Sequence, residues 1–145
     1  DLERALHDAV TTAGLGDRVR VEPFVDDPSP LYRWADIVVV PSRRPESLGR
    51  VAIEAMAFGR PPLASAIGGL QEVVEDGVTG RLLPPGDAEA LSRALSRAIL
   101  APEELPAMAA AGRKRFAALF SGDAVARAIG SLAGEQLARN RAARR

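Results

Sequence analysis

Two carboxylates, Glu46 and Glu54, bracket a segment well suited to hold an anion, Glu46-Ser-Leu-Gly49-Arg-Val51. Ser47 is a good N-cap residue and follows the helix-averse pair Pro45-Glu46, so the spacing predicts a helix starting near Ser47. Its predicted end is Gly59, a C-terminal glycine followed by Pro61 and Pro62. The first turn of a helix offers unpaired N–H groups and the positive end of the helix dipole. Gly49 in that turn costs about 1 kcal/mol against alanine, and with no side chain there a phosphate can reach the amides of residues 48–51. Tight packing against a sheet accounts for the same glycine equally well.

Along the axis Glu46 and Glu54 lie roughly 12 Å apart at about 1.5 Å per residue, the reach from a sugar to a ribose across a diphosphate. The plainer reading is that Glu46 complements the dipole and Glu54 pairs with Arg50 one turn back. That order is the weaker one for a surface pair, since glutamate does better on the N-terminal side of its cation. The apolar positions Leu48, Val51, Ala52, Ala55 and Met56 recur at helical spacing, which predicts one face packed on a sheet and Arg50 and Glu54 on another.

The elements that must hold this helix are legible on either side. Residues 36–41, DIVVVP, form a β-branched run expected of a central parallel strand buried on both faces. Residues 62–66 predict the next strand. Gly68-Gly69 then reads as a simple turn or as a loop near a phosphate or sugar, and residues 70–75 as a short helix. Asp76-Gly77 and Thr79-Gly80 frame a turn before a short strand at residues 81–83. Asp87 is placed to cap a helix with Ala88, Leu91, Leu95, Ala98 and Ile99 on one face. Two more helical stretches, residues 103–120 and 123–139, precede a basic tail at residues 140–145.

Upstream, residues 1–13 predict an amphipathic helix through Leu2, Ala5, Leu6, Ala9 and Val10, ending at Gly14 or Gly16. Residues 18–25 read as a strand with Val19 and Val21 on one face. Asp26-Asp27-Pro28 then makes a turn, and Ser29 caps a short helix containing Leu31, Trp34 and Ala35. Four strands alternating with helices predict one α/β domain built on a doubly wound parallel sheet. Val25 and Asp27 lie at the end of the first strand, where open α/β sheets bind ligands. A carboxylate in this turn suits a guanine edge, which offers two donors where uracil offers one; an Asp-Asp-Pro sequence is equally a plain turn.

The motifs Pro41-Ser42, Glu46-Ser-Leu-Gly49, Glu54-Ala-Met-Ala57, Gly59-Arg-Pro61, Gly68-Gly69 and Glu72 resemble the signature of the retaining glycosyltransferases of family 4, with E-x7-E at Glu46 and Glu54. The resemblance runs from about residue 19 to residue 91. It implies a Rossmann-like half of a GT-B fold and a nucleotide-diphosphate sugar as donor, with neither metal nor cofactor. Glu46 would contact the donor sugar as the catalytic carboxylate and Glu54 the ribose hydroxyls. Amides of Ser47, Leu48, Gly49, Arg50 and Val51 would bind the diphosphate, with Val25 and Asp27 near the base. Ser47-Leu48 stands where Gly-Phe is commonest in the family, and Arg50 replaces an aliphatic residue; neither change removes an amide.

The same resemblance implies a fragment. A complete domain of this kind would start with two more β-α units, whose strands lie mid-sheet in the order 3-2-1-4-5-6, and a whole first domain would carry the acceptor site. The family's basic pair for the diphosphate is expected early in the second domain. Lys114, on a late helix, does not stand for it, while Arg43, Arg44 and Arg50 add local positive charge. The chain alone is therefore expected to be inactive, and its interrupted sheet exposes edges through which copies could associate. A sugar-nucleotide epimerase or glycogen-synthase-like relative, and a non-catalytic nucleotide-binding or assembly module of the same fold, are the alternative readings.

Composition bounds the rest. Among 145 residues, nineteen basic and nineteen acidic side chains cancel, so bulk charge supports neither nucleic-acid nor anionic-membrane binding. No cysteine is present, which excludes disulfides and thiolate metal sites and suits a reducing cytoplasm. His7 has no second histidine with which to share a metal. No apolar run is expected to reach membrane-spanning length, and no signal peptide is expected at the start.

Overall fold

The valine run forms a strand, β1 (Val38–Val40), as β-branched side chains favour, but it lies at the edge of the described sheet with only Val40 buried, not centrally and buried on both faces as expected. It pairs in parallel with β2 (Pro62–Ser65), and β2 with β3 (Arg81–Leu83), in the order β1-β2-β3. Val39 lies opposite Leu63, and Leu63 opposite Arg81. All four residues of the central strand are buried. The computed structural model describes residues 2–142 and divides into two compact units, Asp1–Pro30 and Leu31–Arg145. Its helices in chain order are α1 (Leu2–Thr12), α2 (Ser29–Trp34), α3 (Arg50–Ala57), α4 (Leu70–Val73), α5 (Ala88–Leu100), α6 (Leu105–Leu119) and α7 (Gly122–Ala142).

In the first unit α1 ends before Gly14, as the glycine signal predicts. Residues 18–25 form no strand, so the sheet has three strands among the described residues, not four. A parallel strand is held only by ladder bonds to a neighbour. The amides of Arg18 and Val19 instead bond back to the Leu15 carbonyl at 2.9 Å each, and residues 20–25 enter no ladder.

The second unit is built around a core of Val40, Ala52, Ile53, Met56, Ala64, Leu70, Val73 and Val74. Helix α3 packs on β1 and β2, and α6 lies along α3. The buried stripe of α3 is Ala52, Ile53, Ala55 and Met56, whereas Leu48 and Val51, expected on that face, are exposed. Because α3 begins at Arg50, Leu48 lies outside it and the apolar stripe starts a turn later than predicted. On α5 the buried residue is Ala90, and Ile99, expected inward, is 72% exposed.

The Asp87 cap forms as the sequence predicts: its Oδ1 accepts from the Ala90 amide at 2.8 Å. Asp87→Ala is expected to cost about 1 kcal/mol, the usual worth of an N-cap, read as a lower urea midpoint at unchanged slope. Helix α7 takes the start of the expected basic tail into regular structure, and residues 143–145 of that tail lie outside the described residues. Contrary to expectation, one helical stretch, Pro102–Gln136, is long and apolar enough to cross a membrane by length and composition. It breaks between α6 and α7 at Phe120-Ser121 and carries Arg113, Lys114 and Arg115.

Candidate functional site

The loop from β1 to α3 is shaped by glycines rather than by a serine cap. Helix α3 starts at Arg50 with Gly49 as its N-cap, at φ 72° and ψ 45°, and no side chain caps it. Ser47 therefore stands outside the helix and is exposed. Gly49 is buried, and a Cβ on it would lie 2.7 Å from Leu70 Cδ2. A left-handed turn that also passes over a buried leucine leaves only glycine. Packing and conformation thus explain this residue without a ligand.

What the turn exposes is a different matter. The Gly49 carbonyl accepts from Ala52 at 3.0 Å and Ile53 at 3.2 Å, but among the described residues nothing accepts from the amides of Ser47, Leu48, Gly49, Arg50 or Val51. These five donors run in sequence into the first turn of α3, whose N-terminus is the positive end of its dipole. Gly68 and Gly69 fix the other side of the loop. The Gly69 amide donates to the Glu46 carbonyl at 2.7 Å, and a Cβ on Gly68 would lie 2.5 Å from that same oxygen. The glycine pair thus forms a turn packed on the backbone that carries Glu46.

Both carboxylates are half-buried and held. Ser42 Oγ donates to Glu46 Oε1. Glu54 Oε1 forms an ion pair with Arg50 Nε at 2.9 Å, the local pair the sequence allowed, and Oε2 accepts from Tyr32 Oη at 2.7 Å. Tyr32 was not legible as a site residue, because twenty-two positions separate it from Glu54 and no helical or strand spacing links the two. It is buried, and its ring stacks on Phe58 at 5.4 Å between centroids and 13° between planes. Burial, and then the hydrogen bond to Glu54, push the phenol above its ordinary range, so it stays protonated and can only donate to that carboxylate.

One continuous piece of the second unit thus carries Glu46, Ser47, Leu48, Gly49, Arg50, Val51 and Glu54. Val25 and Asp27 belong to the first unit. There Val25 is exposed, and Asp27 Oδ1 accepts from the Ser29 amide at 2.9 Å, so the carboxylate rather than Ser29 supports the start of α2. A cavity of about 310 Å³ opens at the C-terminal ends of the strands, lined by Pro41, Arg43, Ser65, Gly86 and Asp87. That is the sheet edge where ligands bind in this architecture. Among the described residues no group of three or more acidic, histidine or cysteine side chains could hold a metal.

The description "Glycosyl transferases group 1" belongs to the family model that matches residues 1–115. The chain belongs to this family. A D-inositol 3-phosphate glycosyltransferase of Salinispora tropica is 43% identical over 144 residues, covering 97% of this chain and 30% of that protein. Its counterpart in Salinispora arenicola is 42% identical over 141 residues, covering 94% of this chain and 31% of that one. Among solved structures, Anabaena HepE in complex with UDP superposes with a TM-score of 0.86 at 30% identity, over 91% of this chain and 36% of that one. Sucrose-phosphate synthase from Thermosynechococcus elongatus gives 0.83 at 40% identity, over 94% of this chain and 34% of that one. This group 1 glycosyl transferase chain is α/β with a parallel sheet, as in GT-B enzymes, and spans about a third of the length of these relatives.

Proposed function

We propose that this chain is the donor-binding part of a retaining, metal-independent glycosyltransferase and that it binds a nucleotide-diphosphate sugar. The observation that carries the reading is the set of five unpaired amides at the start of α3, flanked by Glu46 and Glu54. Breaking the bond between donor sugar and diphosphate builds negative charge on the leaving group. Fixed amides at a helix N-terminus, with Arg43, Arg44 and Arg50 nearby in sequence, stabilise that charge. Glu46 orients the sugar and Glu54 accepts from the ribose hydroxyls. Both stand on the donor's side, unlike the opposed carboxylates of glycosidases. Acceptor binding needs residues beyond this chain, so donor turnover by the chain alone is expected to be absent.

The complexes of HepE with UDP and with UDP-glucose support a uridine nucleotide as the first donor to test, with GDP as the competitor suggested by Asp27. Isothermal titration of the chain with UDP and GDP is expected to show binding of one of them. Glu54→Ala should weaken that binding roughly 10- to 100-fold, the worth of one or two hydrogen bonds to a charged group. An unchanged affinity would remove the ribose from Glu54. Absence of binding to either nucleotide, with self-association instead, would favour an assembly module.

A further inference from the structure

We infer that Tyr32 is the positioning residue for Glu54, holding one carboxylate oxygen so that the group presents its remaining lone pairs to a vicinal diol. The inference rests on the reading above, in which Glu54 meets the ribose.

A carboxylate has about four acceptor positions, two on each oxygen. Tyr32 Oη takes one on Oε2, and the Arg50 guanidinium stands beside Oε1 as an ion partner at 2.9 Å, so each oxygen keeps at least one. Two adjacent hydroxyls need two such acceptors, one from each oxygen. Both oxygens thus remain able to accept from a ribose 2′,3′-diol.

The two partners differ in how firmly they are placed. The Arg50 side chain is 80% exposed and shares its helix with Glu54, so water screens the ion pair. Tyr32 is 8% exposed and comes from α2, outside the helix it steers. Its ring stacks on Phe58, and Arg60 Nε donates to the Tyr32 carbonyl at 2.9 Å while Arg60 Nη2 donates to the Arg33 carbonyl at 2.7 Å. Phe58 and Arg60 lie directly beyond α3. The helix that carries the carboxylate therefore also anchors, at its far end, the residue that orients it. An exposed glutamate would sample several rotamers and lose entropy on binding; a glutamate tied to a buried phenol is already ordered.

The test is titration of the 145-residue chain and of its Tyr32→Phe and Glu54→Ala variants with UDP and with 2′,3′-dideoxyuridine diphosphate. Phenylalanine keeps the stacked ring, so the fold is retained and only the donor is lost. Tyr32→Phe is expected to weaken UDP roughly five- to tenfold and to leave the dideoxy probe unchanged. Equal weakening of both probes would make Tyr32 a purely structural residue and overturn the inference. UDP affinity unchanged in Tyr32→Phe but lost in Glu54→Ala would overturn it while sparing the donor site. No UDP binding by the parent chain, or none lost in Glu54→Ala, would overturn the donor-site reading and the inference with it.

Discussion

Gly68→Ala is expected to lower the melting temperature of the chain by roughly 8–20 °C and to weaken nucleotide binding at the same time. Two terms add. Gly68 sits at φ +55°, a left-handed conformation that costs a side-chain-bearing residue about 1–2 kcal/mol. Its new Cβ would also lie 2.5 Å from the Glu46 carbonyl oxygen and 2.9 Å from the Glu46 nitrogen. Both are backbone atoms, so no rotamer change relieves the clash, and overpacking of this kind costs about 1–3 kcal/mol. At roughly 4 °C per kcal/mol for a chain of this size, the sum of about 2–5 kcal/mol gives the stated shift.

The binding loss is what ties this residue to the site. Relief of the clash must move the backbone of Glu46, and the Gly69 amide that holds the Glu46 carbonyl at 2.7 Å moves with it. A melting curve recorded with and without saturating UDP separates the two effects, because a ligand that still binds restores stability by mass action. A variant that melts like the parent would show that the loop yields without cost, and that the glycine pair does not hold Glu46 in place.

The parts of this fold that were legible in the sequence are those whose cause is local. Three consecutive valines make β1 wherever a neighbour is available, and Asp87 needs only the amide three residues on to cap α5. The E-x7-E spacing and the terminal Gly59 likewise lie within one helix and its flanks. The misread parts depend on a partner distant in sequence. Residues 18–25 have strand propensity, but propensity without a ladder leaves them outside the sheet. Ser47 has every local qualification for an N-cap. Gly68 and Gly69 dock on the backbone of Glu46 and Ser47, and the chain then turns left-handed at Gly49, moving the helix start to Arg50. Tyr32 is the clearest case, since its meaning for the site lies wholly in a contact across twenty-two residues.

Met56→Ala is expected to be the most damaging side-chain truncation in α3, at about 2–5 kcal/mol, a large share of the roughly 5–15 kcal/mol that keeps a domain folded. Met56 is 1% exposed and fills the groove where α6 crosses α3. The groove exists because α6 has a glycine there: a Cβ on Gly112 would lie 3.2 Å from Met56 Cγ and 3.5 Å from Met56 Cβ. In the parent chain Gly112→Ala gains about 1 kcal/mol of helix propensity and gives back part of it by crowding Met56. Once Met56 is alanine the crowding is gone, and the added methyl fills part of the void. The double variant should therefore be more stable than the sum of the single effects, by about 1 kcal/mol in a urea double-mutant cycle. Additivity within about 0.3 kcal/mol would mean that the α3 and α6 surfaces relax independently, and that the small residue at position 112 is not there for Met56.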